Sequence, residues 1–117
     1  LGLFDKGFKY LEFSANNSPA IHYQSEYINC LIALRDIRSL SVIGGHLEML
    51  TKTKDDEKTE NDRAFLLFLI RRRCYCLIEL KEFDQAIEGL NYLLSVDPNN
   101  QFAIQELEYI EELKKNQ

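Results

Sequence analysis

Apolar side chains recur every three or four residues along most of this 117-residue chain, the spacing of one face of an α-helix. The pattern predicts six helices, and an all-α fold follows. Their approximate ranges are 3–15, 19–34, 37–52, one that ends near 80, 83–95, and one that follows 100. The fifth helix has the clearest apolar stripe, which consists of Phe83, Ala86, Ile87, Leu90, Leu93 and Leu94.

Polar segments separate the helices. Ser18-Pro19 has the residue types of an N-cap and a first helical position, and Asp97-Pro98-Asn99-Asn100 predicts a capped start for the last helix. The charged segment 53–60 is either a solvated loop or a frayed helix start. Gly44-Gly45 interrupts the third helix at a cost of about 1 kcal/mol per glycine relative to alanine. We therefore expect close helix packing at these glycines.

One segment of the chain occurs twice. Cys30-Leu31-Ile32-Ala33-Leu34-Arg35-Asp36-Ile37 recurs 46 residues later as Cys76-Leu77-Ile78-Glu79-Leu80-Lys81-Glu82-Phe83. Internal helical repeats are typical of solenoid proteins, in which each unit buries its apolar face against the next and the stack binds other proteins. The repeat predicts two helix pairs within a single domain over residues 1–117.

Composition argues against several functions. The net charge of −5 disfavours nucleic acid as a partner, and the longest apolar run, 64–70, is far below the roughly 18 residues of a membrane span. No glycine-rich phosphate loop, catalytic triad or paired carboxylate occurs. His22 and His46 are not spaced as a helical metal pair and are expected to be polar surface or groove residues. The sequence predicts a protein that is not an enzyme and has no metal, cofactor or small-molecule substrate.

The three cysteines are predicted to be reduced and structural. Cys30 and Cys76 share one repeat position, where a small side chain lets helices approach each other. Cys74 points about 200° away from Cys76 on a helix, so these two do not form a redox pair. An odd count without zinc-ligand spacing indicates a reducing intracellular compartment.

The second copy resembles a tetratricopeptide repeat. With Pro98 at position 32 of that 34-residue unit, Ala86 falls at position 20 and Phe83 at position 17, as in the consensus. The first copy has Ile37 and Leu40 at the same two places. Leu40 departs from the consensus because a small residue is usual there, which predicts a splayed first pair.

Almost end to end, the chain also resembles the tail-anchored mitochondrial fission adaptor family. The helix order, the charged insertion and the segment Glu26-Tyr27-x-x-Cys30-Leu31 carry this resemblance. Its most specific part is Tyr92-Leu93-Leu94-x-x-x-Pro98-Asn99-Asn100-Gln101-x-Ala103. The resemblance implies a six-helix bundle built from two tetratricopeptide-like helix pairs with flanking N- and C-terminal helices.

The resemblance further implies an adaptor on the cytosolic face of the mitochondrial outer membrane, and on peroxisomes. A hydrophobic tail following Gln117 would hold it there, and the helical domain would recruit a dynamin-related GTPase, directly or through an intermediate adaptor, for organelle division. The alternative is a soluble tetratricopeptide co-chaperone or scaffold that binds a peptide. A chaperone-tail clamp is poorly matched, because only Asn29 agrees while Ser25 and Arg72 replace two of its five donors.

In stacked repeats, the first helix of each pair lines the concave face. The 3.6-residue period turns every third or fourth side chain inward. In this chain, the inward-facing side chains combine apolar area with hydrogen-bonding groups, as the side chains of peptide-binding grooves do. The alternative is that these residues only close the bundle or lie under a terminal arm. The predicted partner-binding groove consists of Ser25, Asn29, Ile32, Phe68, Arg71, Tyr75 and Ile78.

Three consecutive arginines cover about 200° of one helix surface, so they cannot share a face. Arg71 is nearest the predicted groove, and Arg73 is expected against a neighbouring helix. Arg72 either pairs with an acidic residue or borders the groove. A solvated or ion-paired cluster is favoured over a phosphate site.

Overall fold

A computed structural model describes residues 21–116, and this part of the chain is all helical, without a strand. The all-α class is confirmed, and five of the expected helices have bounds close to those predicted. The expected helix at 3–15 and the start at Ser18-Pro19 lie outside the described residues. The helices are α1 (Ile21–Ala33), α2 (Arg38–Lys52), α3 (Glu60–Glu79), α4 (Phe83–Val96) and α5 (Gln101–Lys115), with a 3₁₀ turn at Asp55–Glu57.

The chain divides into two compact units, and the division falls inside α3, between Phe65 and Leu66. In the first unit, α1 packs against α2, and in the second, α4 packs against α5. Each unit has its own set of fully buried side chains. The largest of these are Ile28, Leu31 and Ile43 in the first unit, and Leu69, Cys74, Leu90, Leu93 and Ile110 in the second.

The turns that follow α1 and α3 have the same backbone structure, 46 residues apart. Arg35 and Lys81 adopt the left-handed conformation, with φ of 54° and 61°. Each turn has the two crossed hydrogen bonds of a Schellman motif. The sequence repeat is therefore also a repeat of backbone geometry. The donor and acceptor pairs are Arg35 to Ile32 (3.0 Å) and Asp36 to Leu31 (2.9 Å), and Lys81 to Ile78 (3.0 Å) and Glu82 to Leu77 (2.8 Å).

The likeness ends at the next residue. Phe83 begins α4 and is 8% exposed, whereas Ile37, its equivalent in the first copy, precedes α2 and is 84% exposed. The carboxylate of Asp36 accepts the backbone N–H of Arg38 at 2.9 Å and ion-pairs with its side chain at 2.8 Å. The second helix of the first unit begins at Arg38, one residue later than the equivalent start at Phe83, and Ile37 does not pack as Phe83 does.

The face that α2 buries also differs from the expected one. Ser39 and Ile43 are buried, and Leu40 is only half-buried. Gly44 and Gly45 are exposed, and a Cβ atom at either position would meet no other atom within 4 Å. The expectation of close helix packing at these two glycines is therefore wrong.

Close packing occurs instead between α3 and α4 in the second unit. A Cβ atom added to Gly89 would lie 2.7 Å from Cys74 Sγ, and this thiol contacts the Ala86 carbonyl at 3.6 Å. Cys74 is fully buried, while Cys30 and Cys76 are half-buried. The tight helix contact thus uses Cys74 rather than the two cysteines at the repeated position.

Side chains cap two of the helices. Thr59 N–H donates to Asp62 Oδ2 and Asp62 N–H donates to Thr59 Oγ1, both at 3.0 Å, which is a reciprocal capping box at the start of α3. The charged insertion therefore ends in a capped start rather than a frayed one. At α5, Asn100 Oδ1 accepts the N–H of Ala103 at 2.9 Å, which confirms the predicted cap.

Candidate partner-binding surface

The 20-residue helix α3 carries four of the predicted groove residues. Phe68, Arg71, Tyr75 and Ile78 are spaced three, four and three residues apart, so they form one stripe, called here the α3 stripe. Phe68 is half-buried, Arg71 is exposed, and Tyr75 is 43% exposed. The solvent-facing part of the stripe is therefore an arginine and a tyrosine one helical turn apart.

At its C-terminal end the stripe reaches the interior of the second unit. Ile78 is 7% exposed and lies beside an open cavity of about 300 Å³. This volume is at the small end of ligand pockets and has room for one or two side chains. Sequence reasoning on α3 alone missed this neighbourhood, because most of its lining comes from other elements. The lining residues are Ile78, Glu79, Lys81, Phe83, Tyr109, Leu113 and Asn116.

Ser25, Asn29 and Ile32, the other three predicted residues, lie on α1 in the first unit. All three are half-buried, and their spacing of four and three places them on one stripe. His22, at the start of the same helix, is exposed and contacts Tyr23 edge to face, with ring centroids 5.6 Å apart. That this stripe and the α3 stripe form one groove stays a prediction.

The three arginines of α3 have different surroundings. Arg73 Nη2 donates to Gln85 Oε1 of α4 at 3.3 Å, so the prediction that Arg73 lies against a neighbouring helix is confirmed. The guanidinium carbon of Arg72 lies 5.3 Å from the ring centroid of Tyr75, a cation–π contact. The ion pairs among residues 21–116 use other cations, so none of the three arginines is ion-paired there.

Arg72 thus lies on the surface around Tyr75, and no acidic residue of the described range forms an ion pair with it. Its Nε atom is buried, and no residue of the described part of the chain forms a hydrogen bond with it. The three-residue separation from Tyr75, which makes the two side chains neighbours on a helix, is the sequence signal that could have assigned Arg72 to this surface.

His46 lies among the helices of the first unit and is partly shielded from solvent. It is half-buried, its Nε2 atom lies 3.1 Å from Gln24 Oε1, and its ring contacts Phe65 edge to face at 5.4 Å. Burial lowers the pKa of His46, because the charged imidazolium loses solvation. The residue joins α1, α2 and the first turns of α3.

Burial makes the thiols of Cys30 and Cys74 less acidic than a free cysteine thiol. Burial raises the pKa of the Cys74 thiol to about 11, against a smaller opposing effect of Arg73. Burial, and then the charge of Glu26, raise the pKa of Cys30. A raised thiol pKa lowers the fraction of reactive thiolate. No disulfide joins Cys30, Cys74 and Cys76, all of which lie in the described part of the chain.

Residues 21–116 contain no cluster of three histidine, cysteine or acidic side chains suited to a metal ion. Among the helices of the same range, none combines the length and apolarity needed to cross a membrane. The feature that remains as a candidate site is the α3 stripe with Arg72.

No family model, curated protein or solved structure matches this chain. The relation to the mitochondrial fission adaptors therefore rests on the sequence motifs alone and stays a prediction.

Proposed function

We propose that this chain is the helical domain of a non-enzymatic adaptor of the tail-anchored mitochondrial fission family, built as a six-helix tetratricopeptide-like bundle. The adaptor is located on the cytosolic face of the mitochondrial outer membrane and on peroxisomes, and a hydrophobic tail encoded beyond Gln117 anchors it. It recruits a dynamin-related GTPase, or an adaptor of that GTPase, to the site of division.

The observation that carries the proposal is the solvent-facing pair on the α3 stripe. Tyr75 and Arg71 are exposed on one face of α3, next to the half-buried ring of Phe68. Tyrosine and arginine are enriched among the residues that dominate the binding energy of protein interfaces. An apolar area with a few hydrogen-bonding groups is the usual composition of such an interface.

The repeat-like backbone supports the family assignment. The Schellman turns at Arg35 and Lys81 are 46 residues apart, and helices α1 and α2, like α3 and α4, are in contact within their units. Repeat domains of this kind act through protein binding. The exposed Ile37 shows that the first pair departs from the repeat pattern, as the bulky Leu40 also does.

Recruitment in cells tests the proposal. The full-length gene product carrying Tyr75→Ala or Arg71→Glu should recruit the division GTPase to mitochondria far less than the parent, since truncating such an anchor commonly costs about 2 kcal/mol, roughly 30-fold in affinity. Tyr92→Ala is the matched control, because Tyr92 on α4 is also 43% exposed. Melting curves should show that each variant is folded.

The proposal fails if both α3 variants recruit the GTPase as well as the parent does. A loss caused instead by changes at Glu106, Glu108 and Glu111 would make α5 the docking surface.

A further inference from the structure

We infer that the α3 stripe together with Arg72 binds an acidic segment of a protein partner, with a carboxylate on the two guanidinium groups and an apolar side chain on Tyr75. The inference rests on the proposed function, since it names the chemistry of the segment that an adaptor would capture there. It concerns the second unit only.

The placement of the side chains defines the site. Arg71 and Arg72 precede Tyr75 by four and three residues, so both are neighbours of its ring on the helix surface. The Arg72 guanidinium carbon lies 5.3 Å from the ring centroid. Because Arg72 Nε is buried, a ligand can reach this guanidinium only through its two terminal nitrogens. A carboxylate would therefore bind end-on and accept two parallel hydrogen bonds.

Two local cations favour an acidic ligand, although the chain as a whole is acidic. The chain has 19 acidic and 14 basic side chains, yet neither Arg71 nor Arg72 is in an ion pair with a described residue. No residue in the described range 21–116 accepts a hydrogen bond from the buried Nε of Arg72, and a desolvated donor without such a bond is unfavourable. A bound carboxylate would supply the missing opposite charge beside it.

The same side chains favour a peptide over a phosphate-rich ligand. Recognition of anionic lipids commonly uses four to eight basic residues, and nucleic-acid binding uses a broad basic face. Here only two arginines, Arg71 and Arg72, border the aromatic ring of Tyr75, which is fewer than such ligands use. Glu79, exposed one turn after Tyr75, adds a negative charge at the C-terminal end of the site. The acidic residues of the partner should therefore lie toward Arg71 and Arg72, and its apolar or basic residues toward Glu79.

Two synthetic peptides test the inference. Both carry the same leucine and phenylalanine residues, and one has glutamates where the other has glutamines. Anisotropy of the labelled peptides with the full chain should show at least tenfold tighter binding of the glutamate peptide at low salt. The double variant Arg71→Glu/Arg72→Glu should lose that preference. The control variant Lys52→Glu/Lys54→Glu changes the net charge by the same amount, at two exposed lysines of the first unit. This variant should keep the preference for the glutamate peptide.

Three outcomes would overturn the inference. In the first, the two peptides bind equally or neither peptide binds. In the second, the control variant loses as much affinity for the glutamate peptide as the arginine variant does. In the third, the arginine variant keeps its affinity for the glutamate peptide but loses binding to phosphatidylserine-containing vesicles, which would make the arginines a membrane contact.

The proposed function is judged separately. Recruitment that depends on Tyr75, combined with equal binding of the two peptides, refutes only the inference. Charge-selective peptide binding, combined with normal recruitment by both Tyr75→Ala and Arg71→Glu, refutes only the proposed function.

Discussion

Gly44 and Gly89 both lie inside helices but have opposite surroundings. Gly44→Ala should raise the free energy of unfolding by up to about 1 kcal/mol, because alanine favours the helix and nothing within 4 Å opposes its Cβ atom. Gly89→Ala should lower it by about 1–3 kcal/mol, since the new Cβ atom would lie 2.7 Å from Cys74 Sγ. Urea unfolding at neutral pH measures both.

Relief of the contact provides the control. In the double variant Gly89→Ala/Cys74→Ala, the clashing sulfur is removed, so the two changes should be clearly non-additive. A destabilising Gly44→Ala would contradict the account of α2, because it would mean that this face is covered.

His46 should make the stability of the first unit depend on pH. Folding lowers the pKa of His46 below its ordinary value of 6.5, so near and below that pH the unfolded chain binds a proton more readily than the folded chain. The contribution of His46 to the free energy of unfolding is therefore fully present above pH 6.5. It is lost as the pH falls through the lowered pKa that His46 has in the folded chain. Urea midpoints at pH 7.5 and 5.5 should therefore differ more for the parent than for His46→Gln.

The glutamine variant keeps an amide near Gln24 but does not titrate. Arg38 lowers the pKa of Asp36 and Lys58 lowers the pKa of Asp55, each from an ordinary value of 3.8. The effects of these two carboxyl groups on stability therefore occur at pH values below the range from 7.5 to 5.5. Equal pH dependence of the parent and His46→Gln would rule out the assigned role of His46.

At the scale of helices, the start of α5 depends on one side chain. Asn100 Oδ1 accepts the N–H of Ala103 at 2.9 Å, a bond that Asn100→Ala would remove. The loss should cost about 1 kcal/mol, as for other N-caps. Asn100→Asp, which can accept the same bond, should stay near the parent in thermal unfolding. Equal midpoints for the alanine variant and the parent would show that the cap contributes little.

Local signals made the helices and their ends predictable, while contacts between helices were less so. The 46-residue repeat predicts matching structure, and the Schellman turns at Arg35 and Lys81 provide it. The exposed position of Ile37 depends on the competing contact between Asp36 and Arg38, which the repeat cannot encode. The exposure of Gly44 depends on which face α2 buries. The helical period alone does not predict whether a glycine lies at a close contact between helices or faces solvent.

For the molecule as a whole, the sequence identified the residues of a candidate surface better than their surroundings. The four-residue spacing of Arg71 and Tyr75 correctly predicts that they share one face of α3, and both are exposed there. The burial of Ile78 beside Phe83 and Tyr109 depends on how α4 and α5 pack, so α3 alone could not predict it. The contact of Arg72 with Tyr75 depends on rotamers, which spacing permits but does not fix.

The central claim is that the partner docks on α3 through Tyr75. Photo-crosslinking in cells tests it most directly, with a photoreactive phenylalanine analogue placed at position 75 or 92 of the full-length gene product. Tyr92, on α4, is 43% exposed, so it matches Tyr75 in residue type and accessibility. The account predicts that position 75 crosslinks to the dynamin-related GTPase or its adaptor, while position 92 does not. A crosslink to either protein from position 92, with none from position 75, would contradict it.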